Sequence, residues 1–508
     1  MKKIKNIIML SLLAVVFTTS SCSDFLNVNT DPNRVTGDNV IPGLIFTQAE
    51  NAIGNRQAIR FVFMNDWMGY WAKSGTFALD KEETTYKIPA TFASTANLWA
   101  IDYDILFDLY QVKTRAIAVN DSVLAGASMV LSSKLWQEHV DMFGATPYKQ
   151  TFDYLKYPRP AYDKAVDIYA DLLVQLDQAI KYLNVSAPSS KFPKVDIIFA
   201  RNGDVSNLPT YITQWKKFAN TIKLRILLRQ SEVSGFNPAQ QMAKIATDGG
   251  VFGVGEDVNV QPGYSNATDK QNPFFGAYGS TPSGAAASSN NKANNYFIGL
   301  LGNLDFRLDR FYKAPVVGTD YGALNGNKIP NGPQIVGSDI GPGLANNSAQ
   351  EQWILPAFES LFFQAEASAR GWFSGDTKAL FESAVKENFK FLGVADSATN
   401  YFVNEPTADW TNAGTTLISQ VKFIAYQKYL ALNGVDPLES WSDLRRLSAP
   451  AFLPSYLPAG YLSNSPDLTV THLPYVLPYA QTEYTTNSVN VPTRTMDGLF
   501  TEKLFWQP

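Results

Sequence analysis

The chain has 508 residues, is 45% hydrophobic and carries a formal charge of -4. That apolar fraction is ample for a packed core, and a mildly acidic surface argues against nucleic acid and anionic membrane surfaces as partners. With only His139, His472 and one cysteine, Cys22, the chain is poorly provided for imidazole or His-metal chemistry and forms no intrachain disulfide.

The N-terminus carries Lys2, Lys3 and Lys5, then an apolar run over residues 7–17, then small polar residues up to Cys22. A basic start, a short apolar middle and a small-residue cut are the parts of a secretory signal. The run is short of the roughly 20 residues that span a bilayer. Residues 1–21 are therefore read as a signal peptide removed at Cys22, where a lipobox places the thiol that receives a diacylglycerol. Thr19 and Ser21 depart from the commoner Leu and Gly or Ala. At about 0.8 kcal/mol per buried methylene, one acyl chain holds weakly and two or three hold firmly. The expectation is a lipoprotein; the alternative is a secreted protein with one spare thiol. Residues 22–40 are polar and read as a lipidated tether. Residues 41–508 read as one large domain.

The body is expected to be mainly α. Ile105, Leu109, Val112, Ala116 and Val119 recur at helical spacing, as do Tyr162, Val166, Tyr169, Leu173, Leu176, Ile180 and Leu183 after Pro160. Trp215, Phe218, Ile222 and Ile226 mark a further helix; Ile418, Val421, Ala425, Tyr429 and Leu432 mark a late one. Between Leu361 and Leu392 two helices flank a break at 371–375, with Ala365 and Ala369 before it and Ala379, Phe381 and Ala384 after. Small residues facing bulky ones across a helix pair follow the packing logic of degenerate tetratricopeptide-like units. Segments 249–350 and 448–500 are rich in Gly, Pro, Asn, Ser, Thr and Tyr and form an irregular, loop-rich lobe with few short strands.

The chain holds 10 Trp, 24 Tyr and 32 Phe. A sugar ring laid on an aromatic face removes both from water, worth about 1 to 2 kcal/mol per ring at ~25 cal/mol per Å². Neighbouring amides orient hydroxyls at roughly 0.5 to 1.5 kcal/mol each. Two loop clusters fit this chemistry. The first is Trp71, Phe77 and Tyr86, with Trp67 assigned to the core. The second is Phe274, Phe275 and Tyr278, then Asn290 and Asn294 among their amide neighbours, then Tyr296. For each ring the alternative is a plug that pins its loop to the body. Arg225 and Arg229, one turn apart on an apolar helix, need buried acidic partners, with Glu366 one candidate. Trp441, Arg445 and Arg446 read as a helix knitting the helical stack to the loops.

Several further segments stand out: residues 22–33, the Phe143-Gly144-Ala145-Thr146-Pro147-Tyr148 turn, and the helix from Trp215 through Phe218 and Asn220 to Arg229. Further along come Asp305-Phe306-Arg307, Phe363-Gln364-Ala365-Glu366, Trp441 to Arg446, Pro478-Tyr479 with Glu483, and Lys503 to Trp506. Together, in this order, they resemble the SusD/RagB family of nutrient-binding outer-membrane lipoproteins. Phe306 replaces the family's proline and Gln364 its arginine, which marks a divergent subgroup. The resemblance implies a tetratricopeptide-like scaffold, a cell-surface position and a TonB-dependent SusC-like barrel as partner, which the protein covers as a lid. It implies capture of an oligosaccharide, or of a peptide, without catalysis and without a cofactor or metal. A surface glycan-degrading enzyme of helical fold is the rival, with carboxylates at Glu82, Glu83, Asp102 and Asp104. A passive adhesion or structural lipoprotein is the third reading.

Overall fold

A computed structural model describes residues 41–74, 81–185, 194–200, 208–288, 290–302, 305–322 and 336–508. The leader at 1–21, Cys22, the tether at 22–40 and Phe77 lie outside the described residues.

The fold is mainly α, with short strands between long helices. The first long helix, α1 (Pro42–Ile59), begins on a proline, whose missing N–H is an orphan there anyway. Helices α2 (Ala93–Ala118) and α3 (Ser122–Phe143) follow as an antiparallel pair. Asp121 caps α3 by accepting from the Leu124 backbone N–H at 3.2 Å. Nearly every residue of α3 is buried, because α2 packs on one side and α4 (Ala165–Leu183) on the other. Helix α5 (Leu208–Arg229) buries Trp215, Phe218, Ile222 and Ile226, the apolar set that its spacing predicts. The pair α6 (Ala357–Ala369) and α7 (Thr377–Phe391) packs closely, with the turn at the expected break. Helices α8 (Leu417–Ala431) and α9 (Pro437–Arg446) complete the scaffold.

Three two-stranded antiparallel sheets stitch the loops to these helices: β1 (Trp71–Lys73) with β5 (Asn291–Ala293), β2 (Thr146–Pro147) with β3 (Tyr162–Asp163), and β4 (Val258–Val260) with β6 (Gln352–Leu355). The β2–β3 pair corrects one expectation. Tyr162 is not the first residue of the helix after Pro160 but pairs with Pro147, and α4 starts at Ala165. The Asp163 carboxylate accepts the backbone N–H groups of Tyr148 and Lys149 at 3.2 and 2.8 Å, which fixes this extended stretch.

The buried arginines find partners other than the one expected. Arg225 donates to Gln137 and Glu138, and Arg229 to Asp141 and Glu439. Glu366 instead receives Arg446 and Arg370. The knitting role of α9 is observed: Trp441 Nε1 donates to the Pro474 carbonyl at 3.0 Å, and Arg445 Nη1 to the carbonyls of Asp141 and Tyr475 at 2.8 and 2.7 Å. No helix among the described residues is long and apolar enough to cross a membrane.

Candidate functional site

The loop lobe rests on an aromatic floor, and most of the rings singled out from the sequence belong to that floor. Trp71 is fully buried; its indole lies 5.0 Å from the Tyr278 ring and donates to Asn433 Oδ1 at 3.1 Å. Phe274 packs against Tyr278 and Trp353 with centroids 4.7 Å away in each case. Tyr86 is buried edge-on to Trp67 and its hydroxyl accepts from the Ser463 backbone N–H at 2.6 Å. Trp71, Tyr86, Phe274 and Tyr278, read from the sequence as ligand contacts, are thus buried here, each packed against at least one other ring. Asn294 is buried as well. It caps the helix Asn295–Leu300, accepting from Tyr296 N at 2.9 Å while donating to the Trp71 carbonyl at 3.0 Å.

Three predicted residues keep solvent access. Asn290 is exposed, and its carbonyl accepts from Ser74 N at 2.8 Å. Phe275 is half-buried, its ring lying over Gly279. Tyr296 is half-buried and stands apart from that cluster. Its ring centroid is 6.3 Å from Tyr461 at 64°, and its hydroxyl donates to the Pro458 carbonyl at 2.8 Å. Glycines make room for this ring. A Cβ on Gly69 would sit 2.7 Å from the Tyr296 ring and one on Gly460 3.3 Å from it, and both glycines hold φ in the left-handed region, at +72° and +113°.

Tyr461, half-buried like Tyr296, also lines a cavity of about 170 Å³ between α9 and the 453–475 loop, with His472, Tyr475 and Arg445. The His472 ring stacks on Tyr475 at 4.6 Å and 10°. The Arg445 guanidinium lies 3.5 Å over the Trp441 ring, and burial pushes its pKa down to about 9 against the pull of Asp141. Ring faces, hydroxyls and a cation bonded to carbonyls suit a polyhydroxylated ligand with one apolar face. Sequence reasoning flagged 448–500 as loop-rich and tyrosine-rich but missed Tyr461 and Tyr475. No local spacing shows that this segment folds back against the helix Asn295–Leu300.

The carboxylates offered for the rival enzyme are separated by their surroundings. Asp102 is fully buried, ion-paired to Arg56 at 2.5 Å and bonded to His139 Nδ1 at 2.9 Å. His139 in turn reaches Thr146 Oγ1 at 3.2 Å, and burial holds its pKa below the usual value despite Asp102. Asp102, His139 and Thr146 are all buried. Glu82 and Asp104 are exposed, on different helices.

The chain belongs to the SusD-like family described as starch-binding and associating with the outer membrane, whose model matches residues 32–465. Among solved structures it is similar to a SusD homologue from Bacteroides vulgatus, with 18% identity, 91% of this chain and 97% of that chain covered, and a TM-score of 0.70. A chitin-binding SusD homologue from Flavobacterium johnsoniae is 19% identical over 91% and 98% of the two chains, with a TM-score of 0.68. A SusD-like protein from Bacteroides thetaiotaomicron is 19% identical over 92% and 99%, with a TM-score of 0.63. At such identities the structural likeness is one of fold. No curated protein matches the sequence.

Proposed function

We propose that this protein is a non-catalytic, cell-surface glycan receptor, lipidated at Cys22 and tethered to the outer membrane through residues 22–40. It captures an oligosaccharide of starch or chitin type on its loop lobe and passes it to a SusC-like TonB-dependent barrel, with closure over the barrel as the commitment step. The observation that carries the reading is the Tyr296–Tyr461 pair, two half-exposed rings at 6.3 Å, of which Tyr461 also lines a cavity with Arg445, His472 and Tyr475. Membership of a family described as starch-binding supports the ligand class. Two rings at about 1 to 2 kcal/mol each, plus a few hydrogen bonds and less the ordering cost, give affinity of about micromolar or weaker. Such affinity suits cargo that must be handed on. Half-buried Phe275 and exposed Asn290, on the same lobe, are proposed as outlying contacts.

The test is isothermal titration of the full-length protein in detergent with a malto-oligosaccharide and a chito-oligosaccharide, alongside product analysis by chromatography. Saturable binding without shortened products, weakened in Tyr296→Ala, supports capture. Shortened products would reinstate the enzyme. Neither binding nor turnover would leave the adhesion reading.

A further inference from the structure

In the helical scaffold, α3 forms the floor of a cavity of about 270 Å³ whose walls are α2 and α4 and which the loop after β2 closes. On the other side of that loop a second cavity, of about 290 Å³, lies against Trp99 and Tyr103 of α2 and reaches Glu483; the two share Thr151 and Phe152 as their common wall. Each is just under the roughly 300 Å³ at which sites for drug-sized ligands begin.

Two observations mark these cavities as built for a ligand. Phe152 holds φ at +73°, a conformation that bulky residues avoid, and this presents its ring to Tyr110 at 5.4 Å and 37°. The walls carry complementary polar groups. Asp171 accepts both Tyr148 OH and Gln175 Nε2 on Oδ2, leaving Oδ1 open. Lys113 is half-buried beside the Tyr110 ring and forms no ion pair among the described residues.

We propose that this paired cavity is a second saccharide site, taking one or two hexopyranose units of a neutral glycan. Aromatic faces meet the carboxylates of Asp171 and Glu483 and the ammonium groups of Lys113 and Lys149 here, so the lining offers both donors and acceptors. An apolar side chain would leave those groups unpaired. The choice of ligand class rests on the glycan-capture reading, but the site itself is separate from the Tyr296–Tyr461 face.

The test is hydrogen–deuterium exchange on the full-length protein with maltoheptaose and with a chitin pentasaccharide at millimolar concentration. Peptides covering 148–157 are expected to exchange at least threefold more slowly with one of the two sugars. Phe152→Gly should abolish that protection without lowering the melting temperature, since glycine accepts the φ of +73°. Lys113→Met should weaken binding there several-fold, which keeps the test sound if the glycine variant loosens the loop. Tyr296→Ala should leave the 148–157 protection intact even if it abolishes binding at the loop lobe. No protection with either sugar, protection that survives both cavity variants, or protection lost in Tyr296→Ala would each overturn the proposal.

Discussion

Glu366 on α6 and Arg446 on α9 meet face to face, Oε1 accepting Nη1 at 2.6 Å and Oε2 accepting Nη2 at 2.8 Å, with both side chains buried. The pair joins the α6–α7 hairpin to the helix that carries the loop lobe. Burial pushes the Glu366 carboxyl up, but Arg446 and then Arg370 outweigh it and hold it at about 2. A carboxyl depressed on folding adds stability above its unfolded value of about 4.3, and that stability drains away as pH falls toward 2.

Glu366→Ala should therefore destabilise the protein by about 3 to 5 kcal/mol at pH 7, because Arg446 and Arg370 lose their shared anion inside the protein. The difference between wild type and variant should shrink as urea melts are repeated from pH 5 down to pH 3. An unchanged difference across that range would mean that the pair adds no pH-linked stability.

Asp436 carries the opposite sign. Burial, then Glu138, push its carboxyl up to about 6 despite Lys134 and Arg225. A group whose folded pKa is raised binds its proton more tightly in the native state, so stability falls as pH rises from about 4 to about 6. Its side chain also caps α9, accepting from Glu439 N at 3.1 Å, a role that asparagine fills equally well. Asp436→Asn should thus stabilise the protein by about 1 to 3 kcal/mol at pH 8 and by much less at pH 4.5, measured by urea melts at both pH values.

The contrast between these helices and the loops shows what the chain makes legible. Trp215, Phe218, Ile222 and Ile226 could be placed from spacing alone, because one buried face of a helix repeats locally. The fate of a loop aromatic is set by distant chain. Trp71 is core because Asn433 and Tyr278 close over it, and Tyr296 keeps an open edge because Gly69 and Gly460 leave it room. Asn294 reads as an amide ligand contact in sequence, and in the structure its side chain accepts from Tyr296 N at the start of a turn that no periodicity announces. The turn at Gly144 was visible as a motif, while its physical cause needed the C-terminal segment beside it.

That cause predicts a further outcome. Gly144 ends α3 at φ +74° and ψ -128°, and a Cβ there would stand 3.2 Å from Leu504 Cδ2. Gly144→Ala should cost about 1 to 3 kcal/mol from backbone strain, with any crowding of Leu504 added to it. Thermal melts should show the loss, and Leu504→Ala in the same chain should not restore it if the backbone term dominates.

The last prediction separates floor from face. Tyr461→Ala removes a half-buried ring whose nearest ring neighbour among the described residues is Tyr296 at 6.3 Å, so the melting temperature should move little. If that ring supplies one stacking surface for a sugar, affinity for the bound oligosaccharide should drop about tenfold, the equivalent of roughly 1 to 2 kcal/mol. Trp71→Ala removes a fully buried indole wedged against Phe274 and Tyr278, and should cost about 3 to 5 kcal/mol of stability. Affinity of the Trp71 variant, corrected for its folded fraction, should then stay within about twofold of wild type, because the ring touches protein on every side. Titration and urea melts on both variants decide it. A Trp71 variant that melts normally but binds tenfold more weakly would return that ring to the ligand face and displace Tyr461 from it.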